Sequence, residues 1–178
     1  MTLGAQQAVP PPPKPADNGP TLAATMQFIQ DKLNDLGKVS FVMFLQNTTD
    51  GSTRSHTMIY EVSNVSADQN QCHIFFHEKV TSDGSTLFDG NYGLALRDVQ
   101  DIVIKPYTQY LTDGNASAGA PNFIVTSVNP NLTALQARLP HGGQQFFPFI
   151  DADLADRVAK ALTHAIELCG GGSKPEPF

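Results

Sequence analysis

The feature that most constrains this chain is a change of hydrophobic period. Val39, Phe41, Met43 and Leu45 recur at every second position. That is the period of a β-strand, whose successive side chains face opposite ways. Val42 and Phe44 lie on the other side with Ser40 and Gln46, so this strand carries apolar groups on both faces. Before it the period is three to four. Leu22, Met26, Ile29, Leu33 and Leu36 form one stripe, which predicts a helix over 21–37, capped by Thr21 and stopped by Gly37. The helical period returns in Leu154, Val158, Ala161, Leu162, Ala165 and Cys169, with Asp151 or Asp153 as cap and Gly170 as stop.

Between the helices the chain is punctuated by hairpin turns. Asp50-Gly51 and Asp83-Gly84 are the strong signals. Strands are expected over about 54–63 and 71–80, through Tyr92, Leu94 and Leu96, at Ile102–Ile104, over 122–128 and 133–139, and around Phe146 and Phe147. Residues 112–121, rich in Gly, Ala, Ser and Asn, read as a surface loop. The expected fold is α+β: a strongly bent antiparallel sheet or partly open barrel of 7–8 strands, with one N-terminal and one C-terminal amphipathic helix. Residues 1–20, with Pro10 to Pro13, Pro15 and Pro20, read as a disordered leader. Residues 21–170 form the single domain, and 171–178 read as a disordered tail.

Charge narrows the partners. The net charge is −6 and the 11 Lys and Arg are scattered, so no basic face exists to neutralise phosphates. Nucleic acid and anionic lipid are poor partners on that ground. No run approaches the roughly 18–20 apolar residues that cross a bilayer as a helix, so no membrane insertion is expected. Only 16% of residues are charged, below the roughly 25% usual for soluble chains. With Asn, Gln, Ser and Thr supplying polarity, this suggests an exported protein, periplasmic or secreted, with the signal peptide absent or truncated at Met1–Ala8. A cytoplasmic home is the alternative.

The chemistry-bearing residues form no recognised constellation, and no cofactor is expected. Two cysteines, Cys72 and Cys169, lie on apolar faces of a strand and a helix. They are either buried thiols or a disulfide pinning the last helix to the sheet. His73 and His77 have the spacing of helical zinc ligands, but on a strand four residues span about 13 Å, too far to share one ion. Glu61, Glu78, Asp98 and Asp101 could pair as acid and base, yet no spacing selects a pair. His141-Gly142-Gly143 reads as a turn rather than an oxyanion loop.

The order of elements, with Leu94-Ala95-Leu96-Arg97-Asp98-Val99-Gln100-Asp101-Ile102-Val103-Ile104 as a late strand–turn–strand, resembles the pleckstrin-homology-like superfold, a bent antiparallel barrel capped by a C-terminal helix. Phe28 to Asn34, Leu96 to Asp101 and Ala165 to Gly170 also resemble a group of small bacterial proteins with no assigned activity. Phosphoinositide-binding members of the superfold set several bases around the first hairpin. Here Asn47 to Arg54 holds one base and one acid, so phosphoinositide binding is not expected.

The first functional expectation is a non-enzymatic module that binds a protein or peptide. A carrier of a small apolar ligand, lined by Phe41, Phe44, Phe75, Phe76, Tyr92, Phe146, Phe147 and Phe149, is the alternative. An enzyme with dispersed site residues is the second alternative.

Overall fold

In the computed structural model, which describes residues 19–117 and 123–172, the Thr21 hydroxyl accepts a hydrogen bond from the Ala24 amide at 3.2 Å. That cap starts α1 (Leu22–Leu36), and its stripe buries Met26, Ile29 and Leu33. Gly37, at φ 51°, turns the chain directly into β1 (Lys38–Asn47). A meander follows: β2 (Thr53–Asp68), β3 (His73–Ser82) and β4 (Ser85–Ala95), each antiparallel to the one before. Next come β5 (Asp101–Pro106), α2 (Tyr107–Ser117), β6 (Phe123–Asn129), β7 (Thr133–Arg138), a 3₁₀ turn at Pro140–Gly142, β8 (Gln144–Phe149) and α3 (Ala152–Leu168).

The fold is α+β, as expected, with eight strands and three α-helices among the described residues. The single bent sheet or barrel is corrected to two separate antiparallel sheets. One has the order β4-β3-β2-β1-β6, the other β5-β7-β8. The chain passes between the sheets three times, one of them a return to the large sheet through α2, between β5 and β6. The Arg97-Asp98 turn takes the chain out of the large sheet after β4. After β6, past a cis Asn129–Pro130 bond, the chain crosses into the small one.

A third helix replaces much of the loop expected over 112–121. Residues 112–117 belong to α2, and 118–121 lie outside the described residues. Composition misled because Gly114 and Asn115 are weak helix formers, costing at most about 1 kcal/mol each. Tyr107, Tyr110 and Leu111 repeat at helical spacing. The Tyr107 ring packs edge-on against Phe41 at 5.2 Å, and the Tyr110 ring stacks on Phe146 at 4.6 Å. Burying two aromatic rings outweighs the propensity deficit.

The core lies between the inner face of the large sheet, the small sheet, and α1 and α3. Tyr60, Val62, Ile74, Phe76 and Leu94 enter it from the large sheet. Leu135, Phe147 and Phe149 enter from the small one, and Val158, Leu162 and Ile166 from α3. The sheets touch through Tyr60 on Phe146 (5.4 Å between ring centres) and Phe76 on Phe147 (5.3 Å). Asp151 caps α3, accepting from the Asp153 and Leu154 amides at 2.9 and 3.1 Å.

The described chain runs two residues into the expected tail. Gly171 and Gly172 donate to Ile166 O and Val99 O, both at 2.9 Å. Residues 1–18 of the expected leader and 173–178 of the expected tail lie outside the described residues. No helix among the described residues is long and apolar enough to cross a membrane.

Candidate functional site

β4 is where the cover of the large sheet runs out. Its inner-face residues Phe88, Gly90, Tyr92 and Leu94 lie opposite Val80, Glu78, Phe76 and Ile74 of β3. Leu94 is buried, but Phe88 is 57% exposed and Tyr92 39%. Among the described residues no strand pairs with the far side of β4. Leu87, 53% exposed, is an extra residue where the β3–β4 register shifts, so the regular edge runs from Phe88 to Ala95.

The direction of the free backbone groups follows from one bond. Leu96 N–H donates to Cys72 O at 2.9 Å, and this pair continues the β3–β4 register. Antiparallel pairs alternate between bonded and non-bonded. Leu94, Tyr92, Gly90 and Phe88 therefore turn their N–H and C=O groups to β3. Gly93, Asn91 and Asp89 turn theirs outward, unpaired, into the open edge.

Behind that edge lies an unusual carboxylate. Glu78 is only 8% exposed. Its Oε2 accepts from the Tyr60 hydroxyl at 3.0 Å and from Gln145 Nε2 at 2.8 Å. Among the described residues no Lys, Arg or His is within ion-pair distance of it. The Tyr60 hydroxyl also lies 2.9 Å from Phe146 O, so one proton faces two acceptors. Burial, then the adjacent Glu78 charge, push the Tyr60 phenol well above the usual tyrosine range. Burial and then Glu78 raise Tyr110 as well. Burial and then Tyr110 raise Tyr107. The tyrosines around Glu78 are thus neutral hydroxyls.

Glu78 sits between Val62 of β2 and Gly90 of β4, with Phe76 and Val80 along its own strand. Among these neighbours only Gly90 has no side chain. A Cβ built on Gly90 would lie 3.7 Å from the Tyr92 ring, so that ring leans over the glycine. Gly90 is thus the ladder partner of Glu78, with Phe88 and Tyr92 on either side of it along the inner face of β4.

The outer face of the same strands is polar and paired. Asp89 meets His77 Nε2 at 3.0 Å and Lys79 Nζ at 3.2 Å, and the Lys79 ammonium holds its carboxyl below the usual range. His73 stacks on Phe75 at 4.3 Å and covers Gly93. His56, on the inner face, bonds Asp83 at 2.6 Å. The three strand histidines are thus engaged separately. Among the described residues no group of three His, Cys, Asp or Glu is placed to share a metal ion.

The other residues singled out in the sequence are dispersed. Sγ of Cys72 and Sγ of Cys169 lie at bonding distance, 2.06 Å, with Cα atoms 5.8 Å apart. Glu61 pairs with Lys38 at 3.1 Å, and Asp101 with Arg138. Asp98 donates its amide to Ala95 O in a turn. Of the four carboxylates only Glu78 is buried. His141 and Gly142 form the left-handed part of the turn before β8. Of the eight aromatics, Phe41, Phe76, Phe147 and Phe149 fill the core, while Phe44, Phe75 and Tyr92 are exposed. Tyr60, Gln145, Phe88 and Gly90 are functional candidates that sequence reasoning missed. An isolated glycine between two aromatics at strand spacing was the available signal for this part of β4.

Comparison of the chain with protein-family models, curated proteins and solved structures finds no match.

Proposed function

We propose that this protein is a non-enzymatic binding module that takes up an extended segment of a partner protein as a further strand on β4. The observation that carries the reading is the unguarded edge. Proteins usually blunt such edges with charges, prolines or cover. From Phe88 to Ala95 the sole charged side chain is Asp89, already engaged by Lys79 and His77. The outward amides and carbonyls of Asp89, Asn91 and Gly93 supply main-chain affinity, and the exposed Phe88 and Tyr92 supply side-chain contact.

The carrier alternative draws on aromatics of which four are consumed by the core. The enzyme alternative would build on the Glu78–Tyr60–Gln145 cluster. Turnover of a bound compound by the wild type and not by Glu78→Gln is the result that would select it. A pleckstrin-homology-like identity remains part of this proposal, supported by α3 following the last strand and packing on the small sheet. Export to an oxidising compartment is supported by the cysteine pair at bonding distance.

The test is amide exchange with blocked, alternating threonine–valine peptides as probes. Binding should slow exchange at Asp89, Asn91 and Gly93. Asn91→Pro, which removes one outward donor but none of the β3–β4 bonds, should abolish the effect. Exchange at those amides that ignores the peptides would sink the reading.

A further inference from the structure

We infer that the strand docked on β4 is β4 of a second copy of this chain, so that the protein pairs with itself about a twofold axis at Asn91. This rests on the edge reading and names the partner.

Asp89, Asn91 and Gly93 turn both N–H and C=O outward. The row is closed at each end. Ala95 O already accepts from the Asp98 amide at 3.0 Å, and Leu87 is displaced where the β3–β4 register shifts. The available set is therefore symmetric about Asn91. In an antiparallel pair, residues that exchange both bonds stand opposite each other. With Asn91 opposite the partner's Asn91, Asp89 stands opposite the partner's Gly93, and every outward group of these residues finds a match. Centring the pair on Gly90 or on Tyr92 leaves Gly93 or Asp89 incompletely bonded. Centring it on Asp89 sets two carboxylates face to face, which is destabilising. A contact of this isologous kind closes at a dimer.

The side chains fit the same register on both faces. On the inner face the exposed Tyr92 meets the partner's Gly90, and the exposed Phe88 meets the partner's Leu94. Each ring thus falls opposite a smaller residue, and pairing takes apolar surface out of water. On the outer face Asp89 meets the partner's Gly93. A Cβ on Gly93 would collide with His73 Nε2, so that nitrogen occupies the place of a side chain at position 93. Opposed Cβ positions lie about 4.5–5.5 Å apart, which brings the nitrogen within reach of the other copy's Asp89. The Lys79 ammonium holds the Asp89 carboxyl below the usual range, and a carboxylate has lone pairs enough to accept from a ring N–H as well. Within one copy these residues cannot meet. His73 lies opposite Ala95 and Asp89 opposite Lys79, with the length of β3 from His73 to Lys79, about 20 Å, between them.

Sedimentation equilibrium of the unreduced protein from micromolar to millimolar concentration tests this, with amide exchange followed at each concentration. So short an interface makes a weak dimer. The mass should rise toward that of a dimer with concentration, and exchange at Asp89, Asn91 and Gly93 should slow in step. Asn91→Pro should stay monomeric. His73→Asp, which sets a carboxylate against the partner's Asp89, should weaken dimerisation about fivefold, since the contact recurs across the axis. Asp89→Asn should recover most of that loss when added to His73→Asp. Residues so far apart in one copy act additively, so the recovery reads a contact between copies, and it carries the test if Asn91→Pro does not fold. A monomer at every concentration, with β4 amides that the threonine–valine peptides still protect, overturns the inference and keeps the edge reading. A dimer with unprotected β4 amides also overturns it, as does a dimer in which the His73 and Asp89 substitutions are additive. Amides of β4 indifferent to both concentration and peptide overturn both.

Discussion

The Tyr60 hydroxyl joins the two sheets through one proton shared between Glu78 and Phe146 O. Its ionisation would place a second negative charge beside Glu78 in a dry site, which is why folding holds the phenol neutral. The linkage has a definite sign. A folded-state pKa raised above the unfolded value of 10.0 gives stability that is whole below pH 10 and falls as pH rises beyond it, because the unfolded chain then loses the proton first. Urea denaturation followed from pH 8 upward should show that decline beginning near pH 10, and Tyr60→Phe should make it shallower. At neutral pH the same substitution should cost about 1–3 kcal/mol, since it strips Glu78 of one of its two donors.

Between elements, the close approach of the end of α3 to the β4–β5 turn depends on Gly171. Its amide bonds Ile166 O at 2.9 Å, and a Cβ there would collide with Leu96 O while lying 3.0 Å from an Ile166 methyl. The obstructing oxygen is backbone, so it cannot swing away. Gly171→Ala should therefore destabilise by about 1–3 kcal/mol, the usual cost of overpacking. Gly170→Ala is strained for a different reason, its φ of +78°, with nothing within 4 Å of the added carbon. Thermal melts of the two variants, with amide exchange at Gly172, separate the mechanisms: only Gly171→Ala should expose the Gly172 amide that bonds Val99 O. β4 is the element at the other extreme. It has a full ladder on one side and free groups on the other, which suits it to accept a strand.

Across the whole molecule, Cys72, in the turn before β3, and Cys169, the residue that caps the end of α3, lie at disulfide-bonding distance, 97 positions apart. Closing a loop of that length removes much of the unfolded chain's freedom, worth about 4–5 kcal/mol in the chain-entropy model. The Cys72→Ser/Cys169→Ser variant, or the reduced wild type, should lose stability of that order in urea titrations. A loss under 1 kcal/mol would mean that the native protein does not carry the bond. The tie fastens α3 to the large sheet, so it holds the layers that bury the Glu78 cluster. Reduction should speed amide exchange in α3 before it does so in the β2–β3 ladder.

The sequence by itself determined the local elements, because their causes are local. The period of three to four in Leu22 to Leu36, the Thr21 and Asp151 caps, the alternation in Val39 to Leu45 and the Asp83-Gly84 turn act within a few residues, and the structure places α1, α3, β1 and that hairpin accordingly. It also narrowed the site to a set of carboxylates that included Glu78 without ranking them, since burial is not a property of spacing. Only the tertiary structure decided that the strands divide into two sheets, that Tyr107 and Tyr110 make a helix by stacking on Phe41 and Phe146, and that β4 is an edge. Strand order joins residues as distant as Val42 and Asn129, or Glu78 and Gln145, and such contacts depend on which apolar faces can be covered together. Phe88 and Tyr92 are exposed because that cover stops short of β4, a fact of whole-molecule geometry that no residue pattern along the chain encodes.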